Sequence, residues 1–420
     1  MFDGRERQMA TIAVMGTLDS KGAEHGFVAD QIRRQGHDVI LIDVGTGGQP
    51  SIVPDIRADE VAAMAGFDMQ PLRERGDRGE CVAAMAAVSP SVLLKLYREK
   101  KIDGVISLGG SSGTAIASSA MRALPTGFPR LIVSTMASGN IAPYVGTGDI
   151  VIMPSVVDVA GLNRISRMIF ARAAGAICGM VGVNVDKADA RPVIAASMFG
   201  NTTECINAAI PLLEQAGYEV LVFHANGSGG RTMESLIESG LIQGVLDVTT
   251  TELADELVGG VLTAGPDRLT AAARCGVPAV VAPGCLDMVN FGEPGSIPAR
   301  FADRRFYAHN PQVTLMRTNA EECRTLGEQL AGKVNASTGP VSVLIPLRGM
   351  SVISAAGGPF HDAFADAALF NSLANSLRPG IRRVVMDVTI NSREFAEACV
   401  RELLAGIAAV GHSVTVEGQL

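Results

Sequence analysis

The chain has no tryptophan, and only 4% of its 420 residues are aromatic, so its apolar 47% is made of alanine, valine, isoleucine, leucine and methionine. That mix suits buried parallel strands and close helix packing. No Cys-x-x-Cys pair occurs. The seven cysteines (Cys81, Cys178, Cys205, Cys275, Cys285, Cys323 and Cys399) stand singly and are odd in number, which excludes a paired disulfide framework and implies reduced thiols in a cytoplasmic protein. No H-x-x-x-H or H-E-x-x-H is present, so no zinc site is expected. The P-loop pattern G-x-x-x-x-G-K-[ST] is also missing, and the first strand runs into GTLDSKG rather than G-x-G-x-x-G, which excludes a dehydrogenase fingerprint. The net charge of −8 contains no basic block, so no nucleic-acid partner is expected. The first eight residues are polar and resemble no secretory leader. The longest apolar region, 168–183, contains Arg172 and falls short of the roughly 20 residues a membrane span needs, so it is expected to be a buried helix.

What is present is an α/β pattern that occurs twice. A chain of this length exceeds one core, since single cores stop growing at roughly 250–300 residues. Near-continuous apolar runs such as DVILIDV (38–44) read as parallel strands covered on both faces. Residues 10–15 form a strand, 23–35 a helix and 38–44 a second strand, before the loop Gly45-Thr46-Gly47-Gly48. The order begins again at Arg191: strand, helix, strand and the glycine loop 226–230. An offset of 181 places Ile12 on Val193, Gly36 on Gly217 and Asp43 on His224. The later pairs DGVISLGG with QGVLDVTT, and RLIVSTMASGN with PAVVAPGCLDMVN, keep the same order. The expectation is two Rossmann-like, doubly wound parallel-sheet domains related by internal duplication, 1–184 and 192–420, with the polar stretch 184–192 between them. Right-handed crossovers put the strand-end loops of each domain along one edge of its sheet, where ligands bind.

The sharpest of those loops is Gly109-Gly110-Ser111-Ser112-Gly113-Thr114, set between an apolar strand and a helix. Free N–H groups and the helix dipole favour a phosphate there, although the same glycines also permit a plain tight turn. The GTLDSKG loop offers Thr17, Asp19 and Lys21 at the end of the first strand. Lys21 suits phosphate; Asp19 suits Mg²⁺, a ribose hydroxyl or an ordinary helix N-cap. Thr135, Ala137, Ser138, Gly139 and Asn140 close the next strand, with Gly146 and Thr147 beyond. In the second half, Gly229, Gly230 and Arg231 open a helix and suit a carboxylate or phosphate, with Glu252, Asp287 and Asn290 as further contacts for an anionic small-molecule substrate. His224, at the end of an apolar strand, and His309 are the candidates for proton transfer, a satisfied core histidine being the alternative for the former. Gly109-x-Ser111-x-Gly113 also satisfies the nucleophile elbow of α/β-hydrolases, with Asp149 or Asp158 and then His224 or His309 in the required chain order.

The segments GVISLGGSSGT, STMASGN, MPSVVDVAGLNRIS, VLVFHANGSGGRTME, QGVLDVTTTELAD, LDMVNFG and HNPQVTLMRT span nearly the whole chain in order. Together they resemble the family of the tomato mosaic virus resistance protein and its bacterial and fungal relatives, often labelled ATP-binding. The resemblance implies an N-terminal Rossmann-like subdomain with bound ATP, a second α/β subdomain and a homodimer. By position it puts the ATP contacts on the loops 109–114 and 135–140 and on Asp19. Ser111-Ser112 stands where a Ser-Gly pair is expected.

Two functions are weighed: a metabolic enzyme holding ATP with Mg²⁺ in the first domain and an anionic substrate in the inter-domain cleft, or a non-catalytic module whose nucleotide switches an interaction. The Ser111 esterase is a third.

Overall fold

The computed structural model describes residues 9–183 and 191–417, so most of the expected boundary stretch lies outside the described residues. The chain divides into two compact units, Met1–Lys187 and Ala188–Leu420.

The first unit contains β1 (Thr11–Gly16), α1 (Leu18–Arg34), β2 (Asp38–Asp43), α2 (Ala58–Met64), α3 (Gln70–Arg75), α4 (Arg78–Val88), α5 (Pro90–Arg98), β3 (Gly104–Gly109), α6 (Ser111–Arg122), β4 (Arg130–Ser134), α7 (Ala142–Val145), β5 (Val151–Pro154) and α8 (Arg164–Val181). Its sheet is wholly parallel in the order β2-β1-β3-β4-β5, with Met15 of β1 beside Ile42 on one side and Ser107 on the other. Both faces are covered, which is why the strands read as unbroken apolar runs. Ala13 and Met15 face Val61, Met85, Leu93 and Ile116 from α2, α4, α5 and α6, whereas Ile12 and Val14 face Val28 and Ile32 of α1 and Phe170 and Ile177 of α8.

The second unit contains β6 (Val193–Met198), α9 (Thr203–Gln215), β7 (Glu219–His224), α10 (Ser228–Glu238), β8 (Ile242–Thr249), α11 (Glu252–Val258), α12 (Ala271–Cys275) and β9 (Ala279–Gly284). It continues with β10 (Met288–Phe291), β11 (Phe306–Asn310), β12 (Val313–Arg317), α13 (Ala320–Asn335), β13 (Val341–Pro346), α14 (Ala363–Ser376), β14 (Arg382–Met386) and α15 (Arg393–Glu417). Its parallel sheet, β7-β6-β8-β9-β13-β14, repeats the order of the first sheet strand for strand and adds β14 at the edge. The packing repeats as well, since α9 lies against α15 as α1 lies against α8. The protein is thus α/β, with a Rossmann-like parallel sheet in each unit.

Four features depart from the sequence reading. Helix α1 begins at Leu18, so GTLDSKG is largely the first helical turn, and Lys21 breaks its regularity with φ −131° and ψ 24°. Four helices, α2 to α5, fill 58–98 where no element was assigned, and the second unit carries an antiparallel sheet, β10-β12-β11. Among the described residues, one helical stretch, Arg78–Arg98, is apolar and long enough by composition to cross a membrane, and it is divided between α4 and α5 at Ser89 and Pro90. The region expected to be a buried helix is α8, which buries only one face and leaves Met168 45% exposed.

Candidate anion-binding site

At the carboxyl edge of the first sheet, β3 ends on Gly109 and α6 starts at Ser111 with Gly110 as its cap. A Cβ at Gly109 would lie 3.0 Å from the Gly113 Cα and 3.1 Å from the Thr114 nitrogen, so a side chain there would press on the first turn of α6. The cap donates no side chain. Thr114 N–H reaches the Gly110 carbonyl, and among the described residues the N–H groups of Ser111, Ser112 and Gly113 have no acceptor. The helix therefore ends in three free donors at the positive end of its dipole.

These donors open on a cavity of about 590 Å³ lined also by Thr17, Asp19, Lys21, Thr46, Arg73 and Arg78. The sequence reading assigned Thr17, Asp19, Lys21 and Gly109 to Gly113 to one site, and the structure gathers all of them on this cavity. Asp43, buried at the end of β2, accepts from Leu18 N–H (3.0 Å) and Gly45 N–H (2.8 Å) and so holds the loops after β1 and β2 together. Burial pushes its carboxyl above the usual range, and the neighbouring Asp19 charge adds to that. Asp19 is not an N-cap: it is the second residue of α1, and its Oδ2 accepts from Gly47 N–H at 2.9 Å. Its Oδ1 is buried with no protein partner.

Arg73 and Arg78 were missed. They stand at the end of α3 and the start of α4, more than 30 residues from the loop they face, in a segment with no strand or helix assigned to it. Arg73 binds Asp59 at 2.5 Å and keeps its Nε buried without a partner. Among the described residues, neither Lys21 nor Arg78 has a carboxylate partner. No group of three metal-ligating residues occurs among the described residues, although Asp19, Asp77 and Asp158 each line the cavity, so any divalent cation here would rest largely on the ligand's own oxygens.

The remaining assignments in the first unit separate. Thr114 is buried, its Oγ1 bonded to Ser134 Oγ at 2.6 Å. Thr135 and Ser138 line a second cavity of about 480 Å³ with Ser155 and Val156, and Asp158 lines both cavities. Ala137, Gly139 and Asn140 line neither, and the Asn140 side chain accepts from Ala142 N–H. Gly146 and Thr147 lie at the opposite, amino edge of the sheet. There Arg122, the last residue of α6, donates to the Pro143 and Tyr144 carbonyls and packs on Gly146, while Asp149 pairs with Arg130 at the start of β4. The reason is topological: the segment after β4 must return to the amino edge before β5 begins. The esterase reading fails on the same geometry. Asp158 lines the cavity with Ser111, but Ser111 sits in a regular first helical turn rather than at a positive-φ elbow, Asp149 is at the far edge, and no histidine lines the cavity.

In the second unit the expected anion site is filled from within. Gly227 and Gly230, at the start of α10, donate to Glu252 Oε1 at 2.7 and 3.1 Å, and a Cβ on Gly230 would lie 2.3 Å from that carboxylate. Glu252 also binds buried Arg268 (2.5 Å), which holds Asp247 through two bonds of 2.6 and 2.7 Å and Glu234 at 3.2 Å. The three carboxylates hold the Arg268 guanidinium firmly charged despite its complete burial. Gly229 packs under the His224 carbonyl, and Arg231 points to solvent and donates to the Thr263 carbonyl. Asp287 and Asn290 are fully buried, bonded to Ser351 and Asp255 respectively. None of the six is placed as a substrate contact. His224 ends edge strand β7, exposed and stacked on Phe199, and His309 is exposed on β11 of the other sheet; neither lines a described cavity.

Residues 10–186 match the N-terminal domain, and residues 191–407 the C-terminal domain, of the uncharacterised protein family UPF0261. A UPF0261 protein of Clostridium tetani is 48% identical over 94% of this chain and 98% of its own length. The ToMV susceptible protein tm-1(GCR26) of Solanum lycopersicum is 37% identical over 95% of this chain, which spans 56% of that protein. Among solved structures, the UDP-N-acetylglucosamine 2-epimerase of Rickettsia bellii aligns over 65% of this chain and 78% of its own with a TM-score of 0.22 and 13% identity. With both of its domains matched, the chain belongs to the UPF0261 family, to which the tomato proteins are homologous.

Proposed function

We propose that the first unit binds a nucleotide, ATP carried with Mg²⁺, by its phosphates at the start of α6. The observation that carries this reading is the uncapped α6 N-terminus facing a cavity in which Lys21 and Arg78 have no carboxylate partner. Backbone donors, a dipole end and unpaired cations converging on one space favour an anion with several charges. The bound cation would neutralise part of the phosphate charge, and the Asp19 Oδ1, buried and unpartnered, is the protein oxygen suited to it. The second cavity, sharing Asp158 with the first, has room for the rest of the nucleotide. The reading is one of binding. With no histidine on the cavity and the second-unit candidates engaged elsewhere, it assigns no reaction.

Calorimetric titration with Mg-ATP of the wild type and of Gly110→Asp tests it. A Cβ at 110 meets nothing closer than Thr135 Oγ1 at 3.7 Å, so the variant should fold. Its carboxylate would cap α6 and repel phosphate, and the affinity should fall by at least about tenfold, or about 1.4 kcal/mol. No saturable binding by folded wild type would overturn the reading. Undiminished binding by the variant would move the phosphates away from α6.

A further inference from the structure

Two walls of the cavity, the start of α1 and the end of β3, are joined by a residue that does not itself line the cavity. His25 lies on α1, fully buried, one turn after Lys21. Its Nδ1 is 2.7 Å from the Lys21 carbonyl, and its Nε2 is 3.3 Å from the Leu108 nitrogen. The β1–β3 ladder ends at Met15 and Ser107, so the ring serves the next N–H of β3, the one just before Gly109. The ring fits because residue 16 is glycine: a Cβ there would lie 1.9 Å from Nε2.

The two partners dictate the form of the ring. A carbonyl at Nδ1 requires a proton on that nitrogen, and an N–H at Nε2 requires a lone pair, so both contacts are made only by the neutral Nδ1–H tautomer. The imidazolium would set an N–H against that of Leu108, with the Met15 carbonyl as the acceptor that favours it. It would lose the contact to Leu108 and press on the strand end that carries Gly109 and the free donors of α6. At the other end of the ring, the carbonyl it holds belongs to Lys21, the residue whose φ and ψ leave the helical region.

We propose that His25 is a positioning residue: in its neutral form it ties the main chain at Lys21 to that at Leu108, so the geometry of the two cavity walls, and the cavity's affinity for phosphate, depend on whether this ring is protonated. The effect on phosphate rests on the nucleotide reading above; the tie between the walls does not. The charged side chains on its own helix that act on the ring are Glu24, which favours protonation, and Lys21, which opposes it. Strands β1 and β3 present no ionisable side chain to it, and α8, packed on α1, carries Arg164, Arg167 and Arg172, with Arg167 over Phe27. Burial is the largest influence and holds the ring below the ordinary histidine range, against the Lys21 and Met15 carbonyls, which favour protonation, so the neutral form prevails at neutral pH.

The test is an NMR titration of the full chain between pH 8 and 5, paired with Mg-ATP calorimetry on wild type, His25→Gln and His25→Leu. The ring nitrogens should report the Nδ1–H tautomer, and the amides of Leu108 to Gly113 should move with the His25 titration. Glutamine can place an acceptor near the Nε2 position without titrating, so His25→Gln should keep most of the affinity at pH 8 and lose the part of the acid dependence that wild type shows beyond it. Titration of ATP itself is common to both proteins and cancels. His25→Leu should bind at least about tenfold more weakly at every pH. Amides 108–113 that ignore the ring's titration, or an Nε2–H tautomer, would overturn the inference even if a variant failed to fold. Wild-type binding with identical pH profiles in all three proteins would overturn the link to phosphate and leave the nucleotide reading standing. Absence of wild-type binding would remove the nucleotide reading and the affinity link with it, and the NMR result alone would then decide the tie.

Discussion

The two units share a strand order and differ at the carboxyl edge. In the first, the helix after the third strand of the repeat starts with uncapped N–H groups beside unpaired Lys21 and Arg78. In the second, the equivalent helix starts at Glu252, and Thr249 to Glu252 are all buried. The Glu252 carboxylate turns to the start of α10 and to Arg268, taking the place an external anion would take. The same topology thus builds helix starts along this edge in both units, and in the second an internal carboxylate occupies one of them. Gly110→Asp would place a carboxylate at the start of α6, as Glu252 places one at the start of α10.

The contrast can be broken most forcefully at Arg268. Replacing it with methionine leaves Asp247, Glu252 and Glu234 buried without their shared cation, and should cost about 3–5 kcal/mol. Urea unfolding should show the second unit melting earlier and the first unchanged. A cost near zero would mean that the cluster does not hold the closed edge shut.

A smaller effect sharpens the picture through pH. Burial raises the Asp255 carboxyl to about 7, against the bonds it receives from Asn290 and Leu262 and with Glu252 nearby. The folded state therefore holds a proton that the unfolded chain has released, and stability drops as pH rises from the ordinary carboxylate range through about 7, then levels off. Asp255→Asn removes that term, and Asn290, whose Oδ1 has no partner, can turn its amide to accept from the new side chain. The variant should gain on wild type between pH 5 and 8, on the order of 2 kcal/mol. Parallel stability curves would show that Asp255 is not protonated in the closed edge. His25 acts with the opposite sign. Its neutral, buried ring contributes stability above about 6.5 that is lost as pH falls, because the unfolded histidine then takes up a proton first. Other buried carboxyls, Asp43 and Asp287 among them, cancel in the comparison with wild type.

The smallest effect is expected at Arg231. Its side chain is exposed and, among the described residues, bonded only to the Thr263 carbonyl, so its change to alanine should alter stability by no more than about 0.5 kcal/mol and leave Mg-ATP binding untouched. Loss of binding would show that the second unit takes part in holding the nucleotide.

Much of this molecule is legible in its residues because parallel strands buried on both faces must be apolar throughout, and strand-to-helix turns must carry glycine where main chains meet closely. That is why the strands of both sheets apart from β5, the repeat between the halves and the loop at Gly109 could be read directly. Helices α2 to α5 escaped because their apolar periodicity is short and broken by Gly76, Ser89 and Pro90, and Arg73 and Arg78 escaped with them. Gly146 and Thr147 were misplaced because composition resembles a ligand loop at either edge of a sheet; only the return of the chain tells the edges apart.

The second unit marks the limit most clearly. NGSGGR signals a helix start that attracts an anion, and it does attract one: the carboxylate of Glu252, 22 residues beyond Gly230, braced by Arg268 from a further loop. Local residues determined the fold class, the duplication and the chemical preference of each helix start. Which anion satisfies that preference was decided by tertiary structure, because a charge is neutralised by whatever partner folding brings within hydrogen-bond reach, and that distance is not written along the chain.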